Sequence, residues 1–541
     1  MKHAFMGAAM AALLTGLAPA GTAQAQHMSR LDRSAADQAM EAIGLHRSDE
    51  NRISFERSDF RAGIYTFTNV TFHYTPDPEA TDTDKGAAAD DTGVQDPEPR
   101  EIHADRMRLD SPRLDANGNL LLHGFELEGL SESDAQSSFL IRQMRLERPN
   151  PEMSADLGRM LRGDEVEETG SRWDLYRFGL LAMDDLTVTG SETDAAFELR
   201  LDRLAFRDYT TDTLGRFEFL GLAVQGQSEG EPVTASLAEI SVDGLKTSSY
   251  SGLMEALAAG ADEAELSAAY YAADPEDQMD MFDRAQIRGF DLEAPGISST
   301  LDEIVMTMDR RRDGIWSHVH MGSLRLVPDS AAEAGAQLAS AIGLLGYDEL
   351  EMSLESNTVY DPEAGRAYTT GENYIQLRDG LRLDMVQDFG GYHQYLANIR
   401  AMSDRLAQTE DPDQSAALVL EALGPLSINR IALRLQDLSL LDRAIKAGAA
   451  AQGMTPEELR AQSGLMIAAG MMAAPPELPQ ALVTEAATAL TSFVNQGGTL
   501  VIEMAPPELL TVAELMAQVE SKMFDFAALG LRITAEPPAG D

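Results

Sequence analysis

Between Asp283 and Pro328 one short pattern of residues appears three times in succession, and it limits the possible folds more than any other feature of the chain. It reads Ala285-Gln-Ile287-Arg-Gly289-Phe290-Asp-Leu292, then Leu301-Asp-Glu303-Ile304-Val-Met306, then Val319-His-Met321-Gly-Ser323-Leu324-Arg-Leu326. Apolar and polar residues alternate as on a strand with one buried face. The alternation then slips by one residue and resumes. A slip alone would throw the second half of the apolar set to the opposite side. An inserted residue at a β-bulge cancels that shift and bends the strand. Each copy is therefore expected to be one bent strand, the alternative being two short strands joined by a kink.

The pattern recurs at Tyr65-Phe67-Asn69-Val70-Phe72, Leu120-Leu122-Gly124-Phe125-Leu127 and Leu181-Met183-Asp185-Leu186-Val188. It appears again at Phe217-Phe219-Gly221-Leu222-Val224 and Leu433-Leu435-Asp437-Leu438-Leu440. Glycine, asparagine and aspartate at the slip suit the unusual backbone angles of a bulge. Bulkier residues stand there in Ile102-Ala104-Arg106-Met107-Leu109, Phe139-Ile141-Gln143-Met144-Leu146 and Leu199-Leu201-Arg203-Leu204-Phe206. The intervals are irregular, which excludes a propeller or a short-repeat solenoid. The expected fold class is α+β: an extended, strongly bent, mostly antiparallel sheet with inserted helices, more helical in the C-terminal half.

The chain opens as an export signal. Met1-Lys2-His3 is positive, Ala4 to Ala18 is an apolar run too short for a comfortable bilayer span, and Ala23-Gln24-Ala25 fits the small-x-small cleavage rule. A periplasmic chain beginning at Gln26 is the expectation, the alternative being a retained anchor. There is no cysteine, which excludes a lipoprotein, a disulfide, a thiolate metal site and a cysteine nucleophile. Residues 26–248 read as a β-rich region containing an acidic mobile loop at 76–99, and residues 249–541 as an α+β region that continues the sheet. Helices are expected at Ser34–Leu45, Met153–Arg162, Tyr250–Ala273, Ala331–Leu345, Tyr392–Leu423 and across most of Leu441–Val494.

The formal charge of −47 repels nucleic acid and anionic head groups at long range. Solubility in a salty surrounding accounts for it, and specific calcium binding is the sharper alternative. Asp82-Thr-Asp84-Lys-Gly86 echoes a calcium loop, but the later ligands and the closing glutamate are missing. No nucleophile elbow, zincin helix, P-loop or dinucleotide fingerprint is present. No catalytic, cofactor-binding or metal-ligating residue is assigned, and no cofactor is expected.

Three groups come nearest to a site. Trp316-Ser-His318-Val-His320 puts two imidazoles on one strand face, where they could share a metal if a third ligand existed; otherwise they belong to a half-buried polar face. Arg310-Arg311-Arg312 could hold an anionic head group, or pair with Asp309 and Asp313. Leu465-Met-Ile-Ala-Ala-Gly-Met-Met-Ala-Ala474 is either core packing, the default, or an adaptable surface for lipid or a partner.

The signal, the φ-x-φ strands ending in Gly/Asp-Leu-x-Leu, and Gly498-Thr-Leu-Val-Ile502 with Pro506-Pro507 and Val512-Ala-Glu-Leu515 resemble the bacterial periplasmic proteins of the DUF945 (YdgA-like) type. More distantly the chain looks like the AsmA-like envelope proteins. That likeness implies a bent sheet with an apolar lipid groove and no catalytic motif, although the cleavable signal and abundant helices depart from the AsmA-like pattern. The expectation is a non-enzymatic envelope protein presenting an apolar sheet surface to a lipid, an amphiphile or an envelope partner. A sealed scaffold without a small ligand is the alternative, and a metal-dependent hydrolase using His318 and His320 comes third.

Overall fold

The computed structural model describes residues 33–74, 100–133, 137–164, 175–192, 195–228, 231–247, 279–407, 412–472, 478–521, 525–526 and 528–538. The expected signal, the loop at 76–99 with Asp82–Gly86, and the helix at Tyr250–Ala273 lie outside them. The chain divides into two compact units: residues 1–230 with 241–260, and residues 231–240 with 261–541. Antiparallel strands dominate the first, and in the second strands and helices take nearly equal shares of the described residues. Helices occur in both units, two in the first and seven in the second among the described residues.

The first unit begins with helix α1 (Arg33–Ala42) and the hairpin β1 (Ile53–Arg61) and β2 (Ile64–Tyr74). Then follow β3 (Arg100–Asp110), a small hairpin of β4 (Arg113–Leu114) and β5 (Leu120–Leu121), β6 (Gly124–Ser133) and β7 (Ser137–Glu147). Helix α2 (Pro151–Arg162) precedes β8 (Phe178–Glu192), β9 (Ala195–Tyr209) and β10 (Leu214–Ser228). β1-β2-β3-β6-β7-β8-β9-β10 pair in that order, every pair antiparallel. Helix α2 starts where Asn150 Oδ1 accepts the Met153 N–H at 3.2 Å with Pro151 in the first turn, and it stops at Gly163 in the left-handed region.

The slips align across this sheet. Glu56, Asn69, Asp105, Gly129, Arg142, Asp185 and Asp202 are the residues that drop out of pairing on successive strands, and Gly221 continues the line on β10. The pairing register is the same on both sides of that line. The expected insertion into one strand of a pair is thus replaced here by one irregular residue in every strand, forming a transverse seam. Asn69, Gly129, Asp185 and Gly221 hold positive φ of 49°, 67°, 54° and 66°. The intervening strands lay a polar side chain over each of them. Asn69 donates to Glu56, Arg142 lies 3.3 Å from Asp185, and the Asp105 and Asp202 carboxylates occupy the space that a Cβ on Gly129 or Gly221 would need.

The seam keeps one face apolar. The row Phe67-Met107-Leu127-Met144-Met183-Leu204-Phe219 on one side of it, and Val70-Ala104-Leu130-Ile141-Leu186-Leu201-Leu222 on the other, belong to a single core cluster. Met40 of α1, Met153, Leu157 and Leu161 of α2, and Leu120 of the small hairpin cover part of that face. The opposite face is ion-paired: Arg108–Glu126 at 3.1 Å, Arg145–Asp184 at 2.8 Å, Arg203–Asp184 at 3.0 Å and Arg207–Glu218 at 3.0 Å.

Two expected slips are corrected. Gly124 lacks positive φ and opens β6, because Leu120 and Leu122 belong to the preceding hairpin rather than to the strand; the slip falls at Gly129. Asp437 ends its strand, and its carboxylate accepts the Leu441 N–H at 2.8 Å where a helix begins. In the bulky copies the unpaired residues are Asp105, Arg142 and Asp202, each one position before the expected Arg106, Gln143 and Arg203.

In the second unit, β11 (Glu231–Leu245) supplies residues 231–240. β12 (Arg284–Ala294), β13 (Ile297–Arg311) and β14 (Gly314–Pro328) follow, then helix α3 (Glu333–Leu344). β15 (Leu350–Asp361), β16 (Arg366–Thr369), β17 (Tyr374–Leu377) and β18 (Leu381–Gly390) lead to helices α4 (Tyr392–Ala407) and α5 (Pro412–Leu423). After β19 (Ser427–Asp437) come α6 (Leu440–Gln452), α7 (Pro456–Met472) and α8 (Gln480–Gln496), and the chain ends with β20 (Thr499–Met504), β21 (Leu510–Thr511), α9 (Val512–Ser521) and β22 (Leu531–Glu536). The strands pair antiparallel from β12 to β15, through β16 and β17 to β18, and on to β19, β20 and β22. Gly289 repeats the seam at φ 61°, and Gly322-Ser323 opposite the single Ser353 is a true bulge.

Candidate functional site

The register of the second unit places Ile304, Met321, Leu354, Ile375, Leu383, Leu435 and Leu500 in one row across seven hydrogen-bonded strands. Met352, Ile375 and Ile502 on this face remain 38%, 39% and 38% exposed. Toward the other end of the same strands the face forms the floor of a half-open pocket of about 520 Å³. Met306 and Met308 of β13, Ile315 and Ser317 of β14, and Thr358 and Tyr360 of β15 form its floor. Ala367 and Thr369 of β16 and Gln387 and Phe389 of β18 extend that floor. Tyr392 and Tyr395 of α4, Leu423 at the end of α5 and Leu426 line it from the helices, and Met279 and Met281 enter just before β12.

Two polar groups of this lining are tied to neighbours. The Gln387 N–H donates to Thr369 Oγ1 at 2.9 Å, and that hydroxyl donates to the Gln387 carbonyl at 3.3 Å. Tyr360 Oη pairs with His393 Nδ1 at 2.9 Å, and His393 Nε2 donates to the Pro362 carbonyl at 2.5 Å. Burial pushes the Tyr392 phenol up to about 12, with Tyr395 adding to the effect, so it stays neutral. Unbranched methionines on one wall and aromatic rings on the other suit an apolar guest of variable shape. A pocket of this size falls within the ~300–1,000 Å³ typical of small-molecule sites.

The three groups singled out from sequence lie elsewhere or in other roles. His318 and His320 share a face of β14, but both are turned onto Glu355 of β15: His318 Nε2 is 2.6 Å from one carboxylate oxygen and His320 Nδ1 is 2.7 Å from the other. Burial pushes the Glu355 carboxyl up, yet the hydrogen bonds from His320 and His318 outweigh it and hold the group below the usual carboxylate range. Among the described residues, no three His, Asp or Glu side chains are disposed to hold a metal ion. Arg310 Nε donates to the buried Asp280 at 2.6 Å, and Arg311 pairs with Asp309 at 2.7 Å while lying over the Trp316 ring. Asp313 accepts the Trp316 indole N–H at 3.3 Å. Asp280 lies between the lining residues Met279 and Met281 and is paired with Arg310, and Asp388, between Gln387 and Phe389, is paired with Arg366 at 2.7 Å.

The default reading of Leu465–Ala474 as core packing fails at Leu465 and Met466, while Ile467 and Met471 are half-buried and residues 473–474 lie outside the described residues. Leu465 and Met466 of α7 are 72% and 68% exposed, because the helix turns other positions toward α6 and α8. Among the described residues no helix is long and apolar enough to cross a membrane.

A family model with the description "Uncharacterized protein" matches residues 374–536. The match runs from the first residue of β17 to the last of β22 and covers less than half of the chain. It carries Gln387, Phe389, Tyr392, Tyr395, Leu423 and Leu426 of the pocket, while the rest of the lining precedes it. No curated protein matches the sequence.

Proposed function

We propose that this is an exported, non-enzymatic protein of the bacterial cell envelope whose second unit takes up the apolar part of a lipid or other amphiphile. The observation that carries the reading is the cavity of about 520 Å³ walled by methionines and tyrosines at one end of a half-exposed apolar sheet face. In this reading the sheet is extended and strongly bent, the seams set its bend, and α4 and α5 roof the site. The likeness to DUF945 and AsmA-like proteins and the signal-like first 25 residues support placement in the periplasm, with the mature chain free of a membrane span. Acyl chains entering such a site would gain roughly 25 cal/mol for each Å² of apolar surface removed from water.

Native mass spectrometry of the protein purified from its own envelope tests this. The expected result is a bound apolar compound that is lost when Ala367→Trp fills the cavity. Consistent absence of any bound compound favours a sealed scaffold instead. A second role, packing against an envelope partner, is favoured by the exposed Leu465 and Met466 on α7.

A further inference from the structure

We infer that the pocket interior accepts only an uncharged chain, so that its ligand is a neutral amphiphile such as a long-chain alcohol or its ester, and that ionised groups are turned away. This rests on reading the cavity as a ligand site. None of the described lining residues is an acid, a base or a histidine. Two of the hydroxyls that line it are engaged, Thr369 with the Gln387 backbone and Tyr360 with His393 just outside the wall. The charges next to the lining are paired: Arg310 holds Asp280 at 2.6 Å beside Met279 and Met281, and Arg366 holds Asp388 at 2.7 Å beside Ala367 and Gln387. A carboxylate, phosphate or ammonium carried inside would therefore find no counter-charge among the described lining residues, and desolvating it without one costs more than its tail returns. The surface pulls the other way. With 89 acidic against 42 basic residues, long-range attraction would gather cations and not neutral molecules. The two influences predict different winners, which makes the inference testable.

The experiment uses the full chain with the uncharged fluorophore N-phenyl-1-naphthylamine at neutral pH and physiological salt. Decanol, decanoate and decylammonium compete for it, and the Ala367→Trp protein serves as control. Decanol is expected to displace the fluorophore at least about tenfold more effectively than either ion, with the fluorophore signal lost in Ala367→Trp. Should that variant fail to fold by circular dichroism, Ser317→Phe fills the same cavity from β14. Ions competing within tenfold of decanol, or decylammonium winning, overturn the selectivity and leave the pocket as a binding site. Fluorophore that does not bind, or that binds the filled variants equally, overturns the ligand-site reading itself.

Discussion

Asn69, Gly129, Asp185, Gly221 and Gly289 sit in the left-handed region in mid-strand, where a branched or bulky side chain would be strained. Gly221 has a second constraint, because the Asp202 carboxylate folds into the space above it. Gly221→Ala is expected to cost roughly 1–2 kcal/mol, the penalty of left-handed backbone for a residue with a Cβ, plus the displacement of Asp202. Asp185→Gly should change stability by less than about 0.5 kcal/mol, since it relieves the same strain and loses only an exposed pair with Arg142. Urea unfolding of the two variants checks the contrast, and equal losses would show that the seam conformation itself carries no strain. Asn69, Asp185, Gly221 and Gly289 were legible because a small or polar residue stood where the alternation slipped, whereas Gly129 was hidden by the pattern that Leu120 and Leu122 imitate. Asp105, Arg142 and Asp202 were not legible either. Two polar residues separate the apolar ones in those strands, and alternation cannot say which of the two loses its partner.

At the scale of elements, sequence periodicity found strands better than it found their edges. Leu120 and Leu122 imitate half of the pattern from a separate hairpin, and Leu438 and Leu440 imitate the other half from a strand-to-helix corner. The pocket had no linear signature at all. Met281 and Leu426 stand far apart in the chain and meet only because the strand order brings β13 to β18 under α4 and α5. Glu355 was equally hidden, although an acid on the strand after His318 and His320 was the signal that could have found it. Helix α7 shows the opposite failure, an apolar run that was read as buried. Replacing both Leu465 and Met466 with serine is expected to shift stability by under about 0.5 kcal/mol, where a buried pair would cost several. A loss of several kcal/mol by chemical denaturation would place these side chains in a core after all.

For the molecule as a whole, the formal charge of −47 and the ion-paired faces oppose each other. Burial pushes the Glu218 carboxyl up, but hydrogen bonds and charge from Arg207 and Arg216 outweigh it and hold it low. A hydrogen bond from Arg366 does the same for Asp388 against its burial. A carboxyl lowered in the folded state stabilises it fully above the ordinary carboxylate value and loses that contribution as pH falls through the lowered one. Added salt at pH 7 should therefore raise Tm by screening repulsion, while acidification below about pH 4 should lower it as these pairs protonate. A Tm that still climbs at pH 3 would mean that relief of self-repulsion dominates.

The seam also dictates where this chain can grow or shrink. A strand that lost its crossing residue would fall out of phase with both neighbours beyond that point and turn its greasy side to water. Length variation is thereby confined to the connections, and a deletion of one residue within β6 or β8 should be far more damaging than the loss of several from a turn.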